Sequence, residues 1–276
     1  MKWFFIPLIL TLSLSSNALA QRNALNELLA QENYYMLNEE FLRSKRSLSD
    51  FDRGLYRSFL LSAYNQPAES NNSIKKLLAS FPERISSNNR VRLQKVRIAN
   101  DVKLFKYNDA WEDSNYLIKH YSNEIDGHEL AELTNSNLIW KALKDVSVQE
   151  VDVQREDSIN LKRDKAGLWN LGVSSRAGND EFILDTGANF SVVCESIARN
   201  NGWKIIEAGF DVGTVTGETV RSNIALADSI SIGKSVFRNV VFLLVPDEKM
   251  TIRVNPLFTY AIKGIIGLPV IKEFGE

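Results

Sequence analysis

Phe182-Ile183-Leu184-Asp185-Thr186-Gly187-Ala188-Asn189-Phe190-Ser191-Val192-Val193 decides how the rest of this chain is read. Three apolar residues run into a carboxylate, a tight polar turn follows, and a second apolar run leaves it. The pattern is that of a buried strand delivering Asp185 onto a loop. A charge at the end of a buried strand is costly unless hydrogen bonds or a partner meet it. Thr186 offers a hydroxyl to pin the loop. Gly187 lets the backbone come close enough for its N–H to point at the carboxylate.

Outward from this loop the texture is that of strands. Val146, Val148, Val151 and Val153 begin a period-two alternation, and β-branched residues stay frequent afterwards. Leu168, Leu171 and Val173 lead into the turn Arg176-Ala177-Gly178-Asn179-Asp180. Ile224, Leu226, Ile230 and Ile232 precede Gly233-Lys234 and the run from Val240 to Val245, which predicts a hairpin. Cys194 to Trp203 is the one good helix candidate before the final residues. Val212-Gly213-Thr214-Val215-Thr216-Gly217-Glu218-Thr219-Val220 has the glycine placement of a mobile hairpin.

Toward the N-terminus the period changes from two to that of a helix. Leu25, Leu28, Leu29 and Met36, then Leu55, Phe59 and Leu60, then Ile74, Leu77, Leu78 and Phe81 recur at helical spacing. Pro82 ends one segment, and Asn72 or Ser73 is expected to cap its start. Tyr107, Ala110, Tyr116 and Ile118 resemble part of a tetratricopeptide-type helical hairpin, in which a small residue lets two helices approach.

The first 20 residues stand apart. Lys2 supplies a positive start, Trp3 to Leu14 is almost unbroken apolar sequence, and Ala18-Leu19-Ala20 places small residues where a signal peptidase accepts them. The expectation is a signal peptide over 1–20, cleaved after Ala20, and a secreted or periplasmic product with no membrane span after cleavage. The apolar run is shorter than the roughly 18 to 20 residues that cross a bilayer. Domains are then expected at 21–147, all helical, and at 148–276, mainly β.

Composition narrows the chemistry. The chain is 44% hydrophobic and 24% charged with a net charge of -1, and acids and bases are interspersed, so nucleic acid is not an expected partner. One cysteine, Cys194, forms no intramolecular disulfide, and two histidines, His120 and His128, read as surface residues. No metal site and no cofactor are expected. Cys194 at a helix start has the setting of an activated thiol, but both histidines lie in the helical half, and a small core-facing residue is the favoured reading.

The run Asp185-Thr186-Gly187-Ala188 resembles the active-site motif of retropepsin-like aspartic peptidases. The resemblance extends to Ile265-Ile266-Gly267, an apolar pair and glycine that pack behind the catalytic loop in that family. It makes Gly213, Thr214, Val215, Thr216 and Gly217 the expected flap over substrate. It covers roughly residues 150 to 276 and implies an α+β chain, helical domain first and acid-protease lobe second. Asp185 is then the catalytic carboxylate, with Thr186, Gly187, Ala188, Ile265, Ile266 and Gly267 supporting its loop.

The chemistry needs two carboxyls sharing one proton, because like charges about 3 Å apart do not both ionise. The sequence holds one Asp-Thr-Gly; Asp157-Ser158-Ile159 and Asp228-Ser229-Ile230 lack the glycine. The expected active form is therefore a homodimer through the β domain, with Asp185 from each chain on the two-fold axis. Peptide or protein substrates would be cleaved internally by an activated water. In the family a helix and a closing strand follow the apolar-pair element, so the lobe is expected to be cut short at its C-terminus. The competing reading is a catalytically inactive peptide-binding or scaffold protein of the cell envelope.

Overall fold

A computed structural model describes residues 20–153, 158–213, 219–255 and 258–275 of the chain. The expected signal segment, Thr214 to Gly217 of the expected flap, and Glu276 lie outside the described residues. Helices fill the first half: α1 (residues 20–30), α2 (Tyr34–Ser44), α3 (Asp50–Ala63), α4 (Pro67–Ser80), α5 (Ser87–Lys103), α6 (Tyr107–Tyr121) and α7 (Gly127–Leu143). Strands fill the second: β1 (Glu150–Asp152), β2 (Lys162–Arg163), β3 (Trp169–Ser175), β4 (Gly178–Leu184), β5 (Ser191–Cys194), β6 (Lys204–Gly213), β7 (Thr219–Ile232), β8 (Ser235–Val245), β9 (Thr251–Asn255), β10 (Phe258–Ala261) and β11 (Gly264–Ile266). Two short helices, α8 (Glu195–Asn200) and α9 (Leu268–Ile271), sit among them. The fold class is α+β, a helical region followed by a β lobe.

The chain forms two compact units, and they do not divide where helix gives way to strand. One runs to Leu104 and takes in Lys119–Ile125; the other holds Phe105–Ile118 and everything from Asp126 onward. Most of α6 and all of α7 therefore belong with the strands.

In the first unit Leu25, Leu29, Leu37, Phe51, Leu55, Tyr56, Phe59, Ile74, Leu77 and Leu93 make one buried cluster. The helices begin where capping chemistry lets them. Ser49 and Ser86 accept from Asp52 N–H and Asn89 N–H, and Asp126 does the same for α7 through His128 and Glu129. Helix α4 begins at Pro67, not near Asn72 or Ser73: proline at N1 needs no N–H partner, so those two polar residues fall inside the helix. Where α3 and α4 cross, a Cβ at Gly54 would come 3.0 Å from Leu77 Cδ1. The turn geometry recurs along the chain: Asn65 and Phe105 both take positive φ, at 55° and 57°, each just before the next helix.

In the second unit the strands run in the order β1-β8-β5-β11-β4-β3-β7-β6, and a further β8–β7 pairing closes β8, β5, β11, β4, β3 and β7 into a barrel. The hairpin predicted across Gly233-Lys234 is present, and the turn after β3 makes another. Strands β3 and β4 pair from Ser175↔Gly178 to Asn170↔Ile183, and β7 and β8 meet across Gly233-Lys234, where Gly233 has φ 60°. Inside the barrel lie Leu171, Val173, Phe182, Val193, Ile230, Phe237, Phe242 and Ile266. Trp203 stacks on Phe242 with ring centroids 5.1 Å apart.

Candidate active site

Strand β4 carries Phe182, Ile183 and Leu184 to the barrel end, and Asp185 begins the loop that follows. Strand β11 passes between β4 and β5, parallel to the first and antiparallel to the second. Ile265 and Ile266 lie beside Ile183 and Leu184, so the apolar pair is the wedge that spreads the two strands flanking the loop. The distant motifs found in the sequence are adjacent in space.

Backbone hydrogen bonds stitch them together. Asp185 N–H donates to Ile266 O at 3.0 Å, Ala188 N–H to Asp185 O at 3.3 Å, and Leu268 N–H to Ala188 O at 2.9 Å. Gly267 N–H donates to the hydroxyl oxygen of buried Ser191 at 3.1 Å. Both glycines around the apolar pair are there because nothing larger fits. A Cβ at Gly264 would stand 2.4 Å from the Phe182 ring, and one at Gly267 would stand 2.7 Å from Phe190 O and 2.8 Å from Ala188 O.

The expected contact within the loop is present: Gly187 N–H donates to Asp185 Oδ1 at 2.8 Å. A Cβ at position 187 would come 3.3 Å from the same oxygen. The carboxylate itself is exposed, as are Thr186 and Gly187, while Ala188 is half-buried. The expected desolvated charge is thus a solvated one in the single chain, presented outward by a rigid loop.

The hairpin expected to cover the site is built from β6 and β7. They pair from Lys204↔Leu226 to Gly213↔Thr219, with Gly213 closing β6. A bulge interrupts them, since Ile206 pairs with Ile224 but Phe210 with Ser222. Gly209 takes φ 62° there, and Asn223 Oδ1 accepts from Ala208 N–H at 3.0 Å and Gly209 N–H at 3.3 Å. The Arg221 guanidinium lies where a Cβ on Gly209 would go.

The helices of this unit reach the same region. Trp140 of α7 lies against Phe190 of the Asp185 loop, centroids 5.8 Å apart, and stacks on Tyr107 at 6.2 Å. Ser191, Phe190, Asn223 and Trp140 have no signature in the sequence. Ser191 stood inside the decisive stretch, but a serine opening a strand gives no hint of the glycine N–H it will meet.

Cys194 is buried and precedes α8. Burial pushes its thiol up, outweighing the hydrogen bonds from Ser196 and Ile197 N–H that pull it down, and Asp247 raises it further. It is a core residue. His128 is exposed beside Glu132, and among the described residues no cluster of three or more His, Cys, Asp or Glu could hold a metal ion.

The sequence profile of a family described as aspartyl protease matches residues 177–270, which contain the Asp185 loop, both hairpin strands and the Ile265-Ile266-Gly267 wedge. Among solved structures, a retropepsin-like aspartic protease from Rickettsia conorii is similar at 18% identity, over 46% of this chain and 84% of that one, with a TM-score of 0.30. No curated protein matches the chain.

Proposed function

We propose that this chain is a secreted aspartic endopeptidase whose active form is a homodimer, with one Asp185 from each chain forming the catalytic pair. The observation that carries the reading is the Asp185 loop itself. It is braced by four backbone-directed hydrogen bonds and two glycines, yet its carboxylate faces solvent with Gly187 N–H on Oδ1. A loop this constrained around a freely presented carboxylate suits a group that must meet a second carboxylate and a water at fixed distance.

In the paired site one carboxylate takes a proton from the water as it attacks the scissile carbonyl. The other, protonated, donates to the carbonyl oxygen, and the leaving amine is protonated in turn. An extended peptide would lie as a strand beneath the β6–β7 hairpin, near Gly213 to Gly217, bonded chiefly through its backbone. The apolar leader over 1–20 supports secretion, with the periplasm as the destination. The recurrence of positive-φ turns at Asn65 and Phe105 supports reading the helices as repeat units that hold a partner or substrate.

The test is cleavage of a mixed peptide library between about pH 4 and about pH 8, read by mass spectrometry for the native chain and Asp185→Asn, with sedimentation on both. Cleavage by a dimer, lost in the variant and blocked by a statine-type inhibitor, is the expected result. A stable dimer that cleaves nothing would turn the reading toward a peptide-binding scaffold.

A further inference from the structure

Strand β6 is the edge of the sheet, and its outward backbone groups would ordinarily be left to water or to a stray strand. At Asp211 they are taken by one side chain. Asn135, on α7, accepts from Asp211 N–H through Oδ1 at 2.7 Å and donates from Nδ2 to Asp211 O at 2.9 Å. A carboxamide has the donor and acceptor of a peptide group side by side, so Asn135 pairs with Asp211 as a neighbouring strand would. Asp211 lies two residues after the Gly209 bulge and two before the end of β6 at Gly213. The bond is therefore made where the hairpin arm leaves the barrel. Five residues further along α7, Trp140 packs on Phe190 of the Asp185 loop. One helix thus touches both the arm and the loop.

We propose that Asn135 is a positioning residue for the β6–β7 hairpin, with α7 fixing the height of the arm above the Asp185 loop. The inference rests on the peptidase reading for its consequence, though not for the anchoring itself. Asn223 holds the bulge from inside the hairpin, and Asn135 holds the next stretch from outside, so the direction of the arm is set by two carboxamides. Without the outer one the arm swings about the bulge, and the wall along which a peptide would pair loses its position.

Asn135→Leu keeps the size and removes both bonds; Asn135→Asp keeps an acceptor for Asp211 N–H and loses the donor. Hydrogen exchange resolved to single amides should show Asp211 N–H exchanging about tenfold faster or more in the leucine variant and close to native in the aspartate variant. Native-like exchange at Asp211 in Asn135→Leu would overturn the proposal, and if that variant does not fold, loss of Asp211 protection in Asn135→Asp would do so. On a cleaved peptide, Asn135→Leu should raise KM several-fold and leave kcat within about twofold; unchanged constants beside accelerated exchange would also overturn it. Accelerated exchange in a native chain that cleaves nothing would instead leave the anchor standing and remove the peptidase reading alone.

Discussion

Replacing Gly267 by alanine should damage the site through contact alone. Its φ is -97°, a value any residue accepts, so backbone strain plays no part. The new methyl would stand 2.7 Å from Phe190 O, 2.8 Å from Phe190 C and 2.8 Å from Ala188 O. Ordinary contact for such atoms is about 3.5 Å, which requires a shift of roughly 0.7 Å. The obstructing atoms are backbone, and they are held: Leu268 N–H on Ala188 O, Gly267 N–H on Ser191. Relief therefore comes from moving the Ala188–Phe190 segment, and Asp185 moves with it. Overpacking of this kind costs about 1–3 kcal/mol, a fall in melting temperature of roughly 4–8 °C for the middle of that range. Cleavage should fall further than stability, by about tenfold or more, since small misplacements of reacting groups are amplified in rate. Gly172→Ala is the control, because a Cβ there meets nothing within 4 Å. Calorimetry on both variants, followed by peptide cleavage, tests the reasoning. If Gly267→Ala melts together with Gly172→Ala, the claim that the wedge fixes the loop is refuted.

Two further outcomes are expected. Asp164 and Asp247 are both held below the ordinary carboxylate value of 3.8: burial would raise each, but hydrogen bonds outweigh it, from Tyr260, Asn170 and two backbone N–H groups in the first case and chiefly from Ser196 in the second. A carboxyl depressed on folding contributes stability that is complete above its unfolded value and disappears as pH falls through the folded one. Denaturant titrations should therefore show stability falling below about pH 4, with a shallower fall in Tyr260→Phe and Ser196→Ala; an unchanged acid limb in both would contradict the assignment. Cys194, buried and with its thiol pushed up, should alkylate slowly at neutral pH in the native chain and rapidly in denaturant; rapid native labelling would show that the β5–α8 junction opens.

The parts of this site that were legible in the sequence are those that break a pattern. Asp185 interrupts a buried strand, Gly187 closes the polar turn behind it, and Gly267 follows an apolar pair where a strand would otherwise continue. Gly187 answers to a neighbour in sequence, the Asp185 carboxylate, whereas Gly267 answers to Ala188 and Phe190 across the wedge and stood out only through the motif it closes. The parts that were not legible depend on what lies across a gap. Ser191 looks like any strand-opening serine until Gly267 N–H is beside it. Asn135 sits in Leu133-Thr134-Asn135-Ser136-Asn137, a polar stretch of helix with nothing to mark one carboxamide as paired with a strand edge. Glu207-Ala208-Gly209 reads as a continuation of β6, and the bulge is fixed by Asn223 on the neighbouring strand. Helical periodicity gives the buried face of α6 and α7 but not the element it is buried against, so the sequence could not say that they join the β unit.

On the proposed reading, the construction of the Asp185 loop suits a half-site. A carboxylate enclosed by its own chain would need a partner there before folding could tolerate it. Asp185 avoids that requirement by standing in water, with its loop held by main-chain bonds to Ile266, Ala188 and Leu268 that carry no charge. Folding of the single chain is then indifferent to the acid, which is why Asp185→Asn should leave stability nearly unchanged. On the proposed reading, the electrostatic cost of bringing two carboxylates together falls on association, where a proton shared between them removes most of it. Dimerisation of the native chain should accordingly tighten as pH falls toward the range in which one proton per pair is retained. Asp185→Asn, which carries no charge to neutralise, should associate with little dependence on pH. Sedimentation of the two proteins across that range separates this account from a dimer held by apolar contacts alone, for which both would associate alike.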